Sequence, residues 1–171
     1  MALLPCAPMR ITDFDYELPP ELIARYPAAD RRGSRLLSVT DGIHDLGFAE
    51  LPSLLRAGDL LVFNDTRVIK ARLVAQKETG GRAEILVERI ESDRVALTHI
   101  RASKSPKPGG RLLIEGGAEA VVVARDDDLF LLEFSADLLP YLEQYGEVPL
   151  PPYLEREADE SDIERYQTVY A

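Results

Sequence analysis

The sequence predicts a mixed fold, α/β plus all-β: a small antiparallel β-barrel with helix-and-strand segments of α/β type on either side of it. Three observations predict this. Between about residues 68 and 134, six short strand patterns follow one another, separated by glycine pairs or charged turns. Just before them, "LLVFN" is a continuous apolar run of strand length, the pattern of a strand covered on both faces. Outside the middle region, apolar residues recur at helical rather than alternating spacing.

In chain order, Met1 to Pro8 reads as a poorly ordered extension of little structural role. It lacks the basic region of a signal peptide, and two prolines interrupt its apolar run. "LPPELIARYP" predicts a short helix started by Pro19 and Pro20 and ended by Pro27. "RLLSVT" predicts a strand closed by an Asp41-Gly42 turn. "FAELPSLLRAGD" places Phe48, Leu51, Leu54 and Leu55 on one helical face, with Gly58 as the stop. "LLVFN" then predicts a buried strand of an α/β layer.

The barrel strands are expected at about Val68 to Gln76, Arg82 to Ile90, Arg94 to Arg101, Arg111 to Ile114, Ala120 to Arg125 and Leu129 to Phe134. "DLLPYLEQYG" returns to helix, with Leu138, Leu139 and Leu142 on one side. Pro149, Pro151 and Pro152 then impose a stiff extended connector, and "ADESDIERYQTVYA" begins a helix behind Asp or Ser caps.

Composition narrows the function classes. The chain has 171 residues, 46% of them hydrophobic, so wholesale disorder is excluded. No run approaches the roughly 18 apolar residues of a membrane-spanning helix. The single cysteine, Cys6, cannot staple the fold, and His44 and His99 have no ligand partner at metal spacing, so no metal is expected and a reducing cytoplasm fits best. The net charge of −10 argues against a nucleic-acid partner only if it is evenly spread, and it is not. Residues 1–60 carry 6 basic and 9 acidic groups, residues 61–115 carry 11 and 7, and residues 116–171 carry 3 and 14. The middle is basic.

Three clusters carry candidate chemistry. In "GDLLVFNDTRVIKARL", an apolar strand ends in Asn64, Asp65, Thr66 and Arg67, four hydrogen-bonding side chains at the carboxyl end of a strand, where α/β proteins bind ligands. An Asx-type turn is the plainer explanation of the first three on pattern alone, though a turn has no use for the guanidinium. In "HIRASKSPKPGGR", Arg101, Lys104, Lys107 and Arg111 suit phosphate oxygens, against the alternative of a solvated loop. No aromatic interleaves them, so backbone contact is the most they imply. Tyr153, Tyr166 and Tyr170 suit stacking on a base or a sulfonium, or plain packing beside prolines. Asp13, Asp15 and Glu17 offer a general base, or merely caps.

Together these residues resemble the S-adenosylmethionine:tRNA ribosyltransferase-isomerase family of queuosine biosynthesis. The resemblance runs from about Met9 to the last residue through "DFDYELP", "SRLL", "GDLLVFNDTRVI", "ARL", "HIRASKSPKPG", "PLPPYL" and "YQTVYA". Lys70 departs from it, where the family usually has proline.

The resemblance implies part of an α/β barrel-like domain (residues 1–67 and 135–171) interrupted by a small inserted β-barrel domain (68–134). The family continues beyond "YQTVYA", so the chain resembles an N-terminal portion, expected to be inactive alone and to expose an apolar edge. The implied reaction moves and isomerises the ribosyl group of S-adenosylmethionine onto 7-aminomethyl-7-deazaguanine at the tRNA wobble position. It gives epoxyqueuosine and releases adenine and methionine. S-adenosylmethionine is a substrate there, and no cofactor is expected.

On this reading Asp65 and Asp15 are the candidate bases, and Asn64, Thr66, Arg67 and Tyr153 bind substrate. Arg101, Lys104, Lys107 and Arg111 meet tRNA phosphates. The full-length protein is expected to be a cytoplasmic monomer without a membrane partner. The rival readings are a nonenzymatic β-barrel RNA-binding module and a purely structural domain.

Overall fold

In a computed structural model, residues 9–39 and 41–168 are described. The expected Met1 to Pro8 extension, Cys6 and Tyr170 lie outside them. The leading segment has two 3-10 turns, Ile11–Phe14 and Pro20–Leu22. A hairpin of β1 (Arg35–Ser38) and β2 (His44–Gly47) follows, then a third 3-10 stretch, Phe48–Leu54. The barrel comprises β3 (Arg72–Lys77), β4 (Arg82–Ser92), β5 (Val95–Ala102), β6 (Arg111–Ile114), β7 (Glu119–Asp126) and β8 (Leu129–Phe134). Helix α1 (Leu138–Tyr145), a 3-10 turn at Pro152–Leu154 and helix α2 (Glu160–Arg165) complete it.

All six barrel strands form where the alternation placed them, within a few residues. They close in the order β3-β4-β5-β8-β7-β6, with every pairing antiparallel. The inward positions explain why so small a barrel closes. Ala75, Ala83, Ala96 and Ala120 share the interior with Leu73, Ile85, Leu112, Val122, Phe130, Leu132 and Phe134, so small side chains leave room for large ones. Register shifts at Val87/Arg89, Ile90/Ser92 and Val122/Ala124 supply the bends that closure needs. One polar group is wholly interior, and it is satisfied: the Thr98 hydroxyl donates to the Phe130 carbonyl at 3.1 Å.

The register divides the barrel into two unlike ends. The 77–82, 102–111 and 126–129 connections lie at one end, while the 92–95 and 114–119 turns and both chain crossings lie at the other. Helix α1 plugs the second end. Leu138, Tyr141 and Leu142 join the barrel core, and the Tyr141 hydroxyl donates to the Glu115 carbonyl at 2.6 Å while accepting from the Ala118 N–H at 3.1 Å. After α1, Gly146 passes so close to the Lys70 and Leu142 carbonyls that a Cβ would overlap both. That close approach lets Glu147 bridge Arg72 through Arg72 N–H to Glu147 O at 3.2 Å and Glu147 N–H to Arg72 O at 2.8 Å. Chain entry and exit are thereby joined.

Three expectations fail in the leading segment. "LPPELIARYP" makes only a single 3-10 turn, and "FAELPSLLRAGD" is 3-10 rather than α because Pro52 lies inside it and lacks the N–H that an α-helix needs. "LLVFN" is neither a strand nor buried: Leu60 is 86% and Val62 85% exposed. An apolar run becomes a buried strand only when neighbours pair its backbone and cover both faces, and no strand pairs with residues 60–64 among the described residues. The hairpin return β2 was not expected from the sequence.

Candidate functional site

The turn that closes the leading segment is built by Asn64. Its side-chain oxygen accepts from the Thr66 N–H at 2.9 Å and from the Thr66 hydroxyl at 2.6 Å, so Asn64 and Thr66 do form the Asx turn offered as the alternative reading. Asp65, between them, directs no side-chain hydrogen bond or ion pair to any described residue, and the same holds for the exposed Asp15. Among the described residues no hydrogen bond or ion pair joins Asp15 to residues 64–67. Its neighbour Asp13 acts as a cap, accepting the Arg10 N–H at 2.8 Å. Tyr153 is exposed on its 3-10 turn.

Arg67 is placed differently. It reaches Glu143 of α1 at 3.5 Å, and Lys70 donates to the Glu143 carbonyl at 2.7 Å, which is how the lysine in place of proline is accommodated. Together with Val68, Val148, Ile163 and Gln167 they line a cavity of about 220 Å³. Gln167 closes it. Its side-chain amide pairs both ways with the Val68 backbone, accepting from N–H and donating to C=O, each at 2.8 Å. A side chain thus does for Val68 what a neighbouring strand would do.

The carboxy-terminal arm that carries Gln167 is itself organised by an ion pair that the sequence reading did not single out. Arg156 grips Asp162 through two hydrogen bonds, 2.6 and 2.7 Å, with Asp162 only 3% exposed. Those bonds, helped by the Asp159 N–H at 2.8 Å, hold the Asp162 carboxyl below the usual aspartate range against the opposing effect of burial. The same pairing raises Arg156. Arg156 also donates to the Arg25 carbonyl at 2.7 Å and lies over the Tyr26 ring at 4.1 Å, while Arg165 and Arg31 tie the arm to residues 28–31. The spacing of Arg156, Asp159 and Asp162 was the available signal, an arginine followed by acids three and six residues on. Between this arm and the barrel wall lies a cleft of about 790 Å³, lined by both Arg72 and Arg82 and by Glu84, Glu147 and Asp159.

Of the four cations assigned to phosphate, Lys104, Lys107 and Arg111 line one cleft at the barrel end opposite α1, and Arg101, on β5, does not line it. The loop bearing Lys104 and Lys107 is pinned, because Gly109 N–H donates to the Val122 carbonyl at 2.8 Å and Val122 N–H to the Gly110 carbonyl at 3.0 Å. Arg111 shares Glu119 at 3.4 Å, whereas among the described residues Arg101, Lys104 and Lys107 meet no carboxylate within ion-pair distance. Among the described residues no group of three or more metal-ligating side chains gathers, and no helix is long and apolar enough to cross a membrane.

Comparison with known proteins agrees with the motifs. The family model described as queuosine biosynthesis protein matches residues 11–171. A curated relative from Psychrobacter sp. (strain PRwf-1), named S-adenosylmethionine:tRNA ribosyltransferase-isomerase, is 51% identical over 182 aligned residues. The match covers 95% of this chain and 47% of the relative. A solved structure of S-adenosylmethionine tRNA ribosyltransferase from Thermotoga maritima is similar at 35% identity over 78% of this chain and 48% of that one, with a TM-score of 0.41. The chain spans about half the length of the relatives it matches. With its motifs in order and a family match over nearly its whole length, the chain belongs to the queuosine biosynthesis protein family.

Proposed function

We propose that these residues form part of an S-adenosylmethionine:tRNA ribosyltransferase-isomerase. In this reading a discontinuous part of an α/β barrel-like domain, 1–67 and 135–171, carries an inserted β-barrel domain, 68–134. The observation that carries it is the 51% identity to a relative of that name over 95% of the chain. The reaction moves the ribosyl group of S-adenosylmethionine onto 7-aminomethyl-7-deazaguanine in tRNA. The sulfonium acidifies the adjoining ribose carbon, a carboxylate takes that proton, adenine leaves, and the substrate amine attacks, giving epoxyqueuosine and methionine.

Asp65 and Asp15 are the two carboxylates proposed for the proton. Asp65 is the better supported, since it sits on the Asn64–Thr66 turn beside Arg67 and its carboxylate is not spent on any described residue. Asn64, Thr66, Arg67 and Tyr153 are proposed to hold substrate, and Arg101, Lys104, Lys107 and Arg111 to hold tRNA phosphates. No cofactor takes part, and the working protein is a cytoplasmic monomer. Turnover requires α/β structure that covers "LLVFN", so residues 1–171 alone bind tRNA without releasing adenine.

Adenine release from S-adenosylmethionine and tRNA tests this in two proteins, the chain itself and a chimera in which it replaces the matching portion of the Psychrobacter relative. The chimera is expected to turn over and to lose S-adenosylmethionine binding on Arg67→Ala without unfolding. A folded chimera that binds both substrates and releases no adenine overturns the enzyme reading and leaves an RNA-binding barrel. Turnover by the chain alone at the chimera's rate removes the requirement for further structure.

A further inference from the structure

The two ends of the barrel treat most of their cations differently. At the end plugged by α1, Arg72 faces Glu84 at 3.5 Å, Arg89 meets Glu91 at 2.6 Å and Arg94 meets Asp137 at 2.8 Å. At the far end Arg111 shares Glu119 at 3.4 Å, but Lys77, Arg82, Arg101, Lys104 and Lys107 have no carboxylate within ion-pair distance among the described residues, in a chain with 30 acidic residues against 20 basic ones. An acid-rich sequence that leaves these cations without described partners keeps their field available to an anion.

Lys77 is the member of this group that the loop motif does not contain. It ends β3, yet its ammonium donates to the Lys104 carbonyl at 3.1 Å, so it sits beneath the 103–110 loop. Its stem gets there by lying flat across Gly81, where a Cβ would stand 2.7 Å from Lys77 Cε and 3.1 Å from Nζ. Lys77, Lys104, Lys107 and Arg111 thereby line one cleft of about 240 Å³ between hairpin and loop, with Glu78 its only acid. The acidic turn Asp126–Asp128 closes the same barrel end without lining this cleft. Because the loop is pinned by Gly109 and Gly110 to Val122, the cleft is formed before any ligand arrives, which spares a ligand the cost of ordering it.

We infer that this cleft seats a backbone phosphate of tRNA, with Lys77, held in place by the open side of Gly81, as a ligand-contacting residue alongside the loop cations. The inference rests on tRNA being the partner. It fixes which end of the barrel faces the RNA: the end with unpaired cations, away from α1.

Fluorescence anisotropy of the 171-residue chain with a tRNA transcript over a range of salt tests it. Lys77→Gln is expected to weaken binding about fivefold and to lower the salt slope by about one. Gly81→Ala is expected to weaken binding similarly with net charge unchanged, because the new methyl displaces only a flexible lysine stem and leaves the melting temperature in place. Arg89→Gln, at the plugged end, is expected to bind as wild type does. Wild-type affinity and slope in Lys77→Gln or in Gly81→Ala overturn the inference. If the triple Arg101→Ala, Lys104→Ala, Lys107→Ala variant still weakens binding in that case, the tRNA reading stands without Lys77. If the triple variant also binds normally, the reading itself falls. An equal loss in Arg89→Gln reduces the effect to bulk charge and overturns the inference, as does binding of polyglutamate in place of tRNA.

Discussion

Residues 71–134 and residues 9–70 are both rich in Leu, Ile, Val and Phe, yet they end in opposite environments. The barrel turns nearly every inward apolar side chain away from water, whereas among the described residues of 9–70 Ser38 alone is buried. The difference lies in closure. Six strands that return on themselves satisfy each other's backbone and supply each other's apolar neighbours, while the leading segment's strands form one hairpin and its "LLVFN" run joins no sheet among the described residues. The lesson is that apolar pattern states a demand for burial, and only partners meet it.

The contrast can be broken most sharply by matched truncations. Leu132→Ala, in the closed core, is expected to cost about 2–5 kcal/mol, and Leu60→Ala to stay within about 0.5 kcal/mol, both read from urea midpoints by circular dichroism. A Leu60→Ala loss as large as that of Leu132→Ala would place the "LLVFN" run in a buried layer in solution. Next in size is the seam between barrel and α1. Gly146→Ala forces a methyl against two carbonyls and is expected to cost about 1–3 kcal/mol. Tyr141→Phe leaves the Ala118 N–H and Glu115 carbonyl without their shared hydroxyl, at about 1–2 kcal/mol by the same measurement.

Acid sharpens the comparison without touching the barrel core. Because the folded Asp162 carboxyl titrates below an ordinary aspartate, the stability it lends is complete above about pH 4 and is lost as pH falls through the folded value. Hydrogen exchange is therefore expected to show residues 156–168 losing protection on acidification before β3–β8 do. Loss of protection in both at one pH would mean that arm and barrel form a single cooperative unit. The smallest effect on stability comes from the exposed run: Leu60→Gln with Val62→Gln is expected to leave the urea midpoint unchanged and to reduce self-association in sedimentation.

Much of the barrel was legible because period-two alternation is a local signal. Strands, glycine turns and the α1 helix ending at Gly146 could each be read from a dozen residues or fewer, although its buried face takes Tyr141 with Leu138 and Leu142 and leaves the expected Leu139 exposed. The Asn64–Thr66 turn was legible for the same reason, since Asn bonds a backbone two residues away. What escaped notice was long-range. Gln167 meets Val68 across 99 residues, and Lys77 meets Lys104 across 27. Neither pairing leaves a trace in spacing.

By itself, then, the sequence determined the alternating strands and their turns, the basic middle within an acidic whole, and the ordered motifs that place the chain in its family. Tertiary structure alone decided that "LLVFN" stays exposed, that Arg156 and Asp162 organise the carboxy-terminal arm, and that the barrel end away from α1 leaves Lys77, Lys104 and Lys107 without a carboxylate partner among the described residues. Periodicity and turn chemistry act over a few bonds, whereas burial and ion pairing depend on which distant surface arrives to complete them.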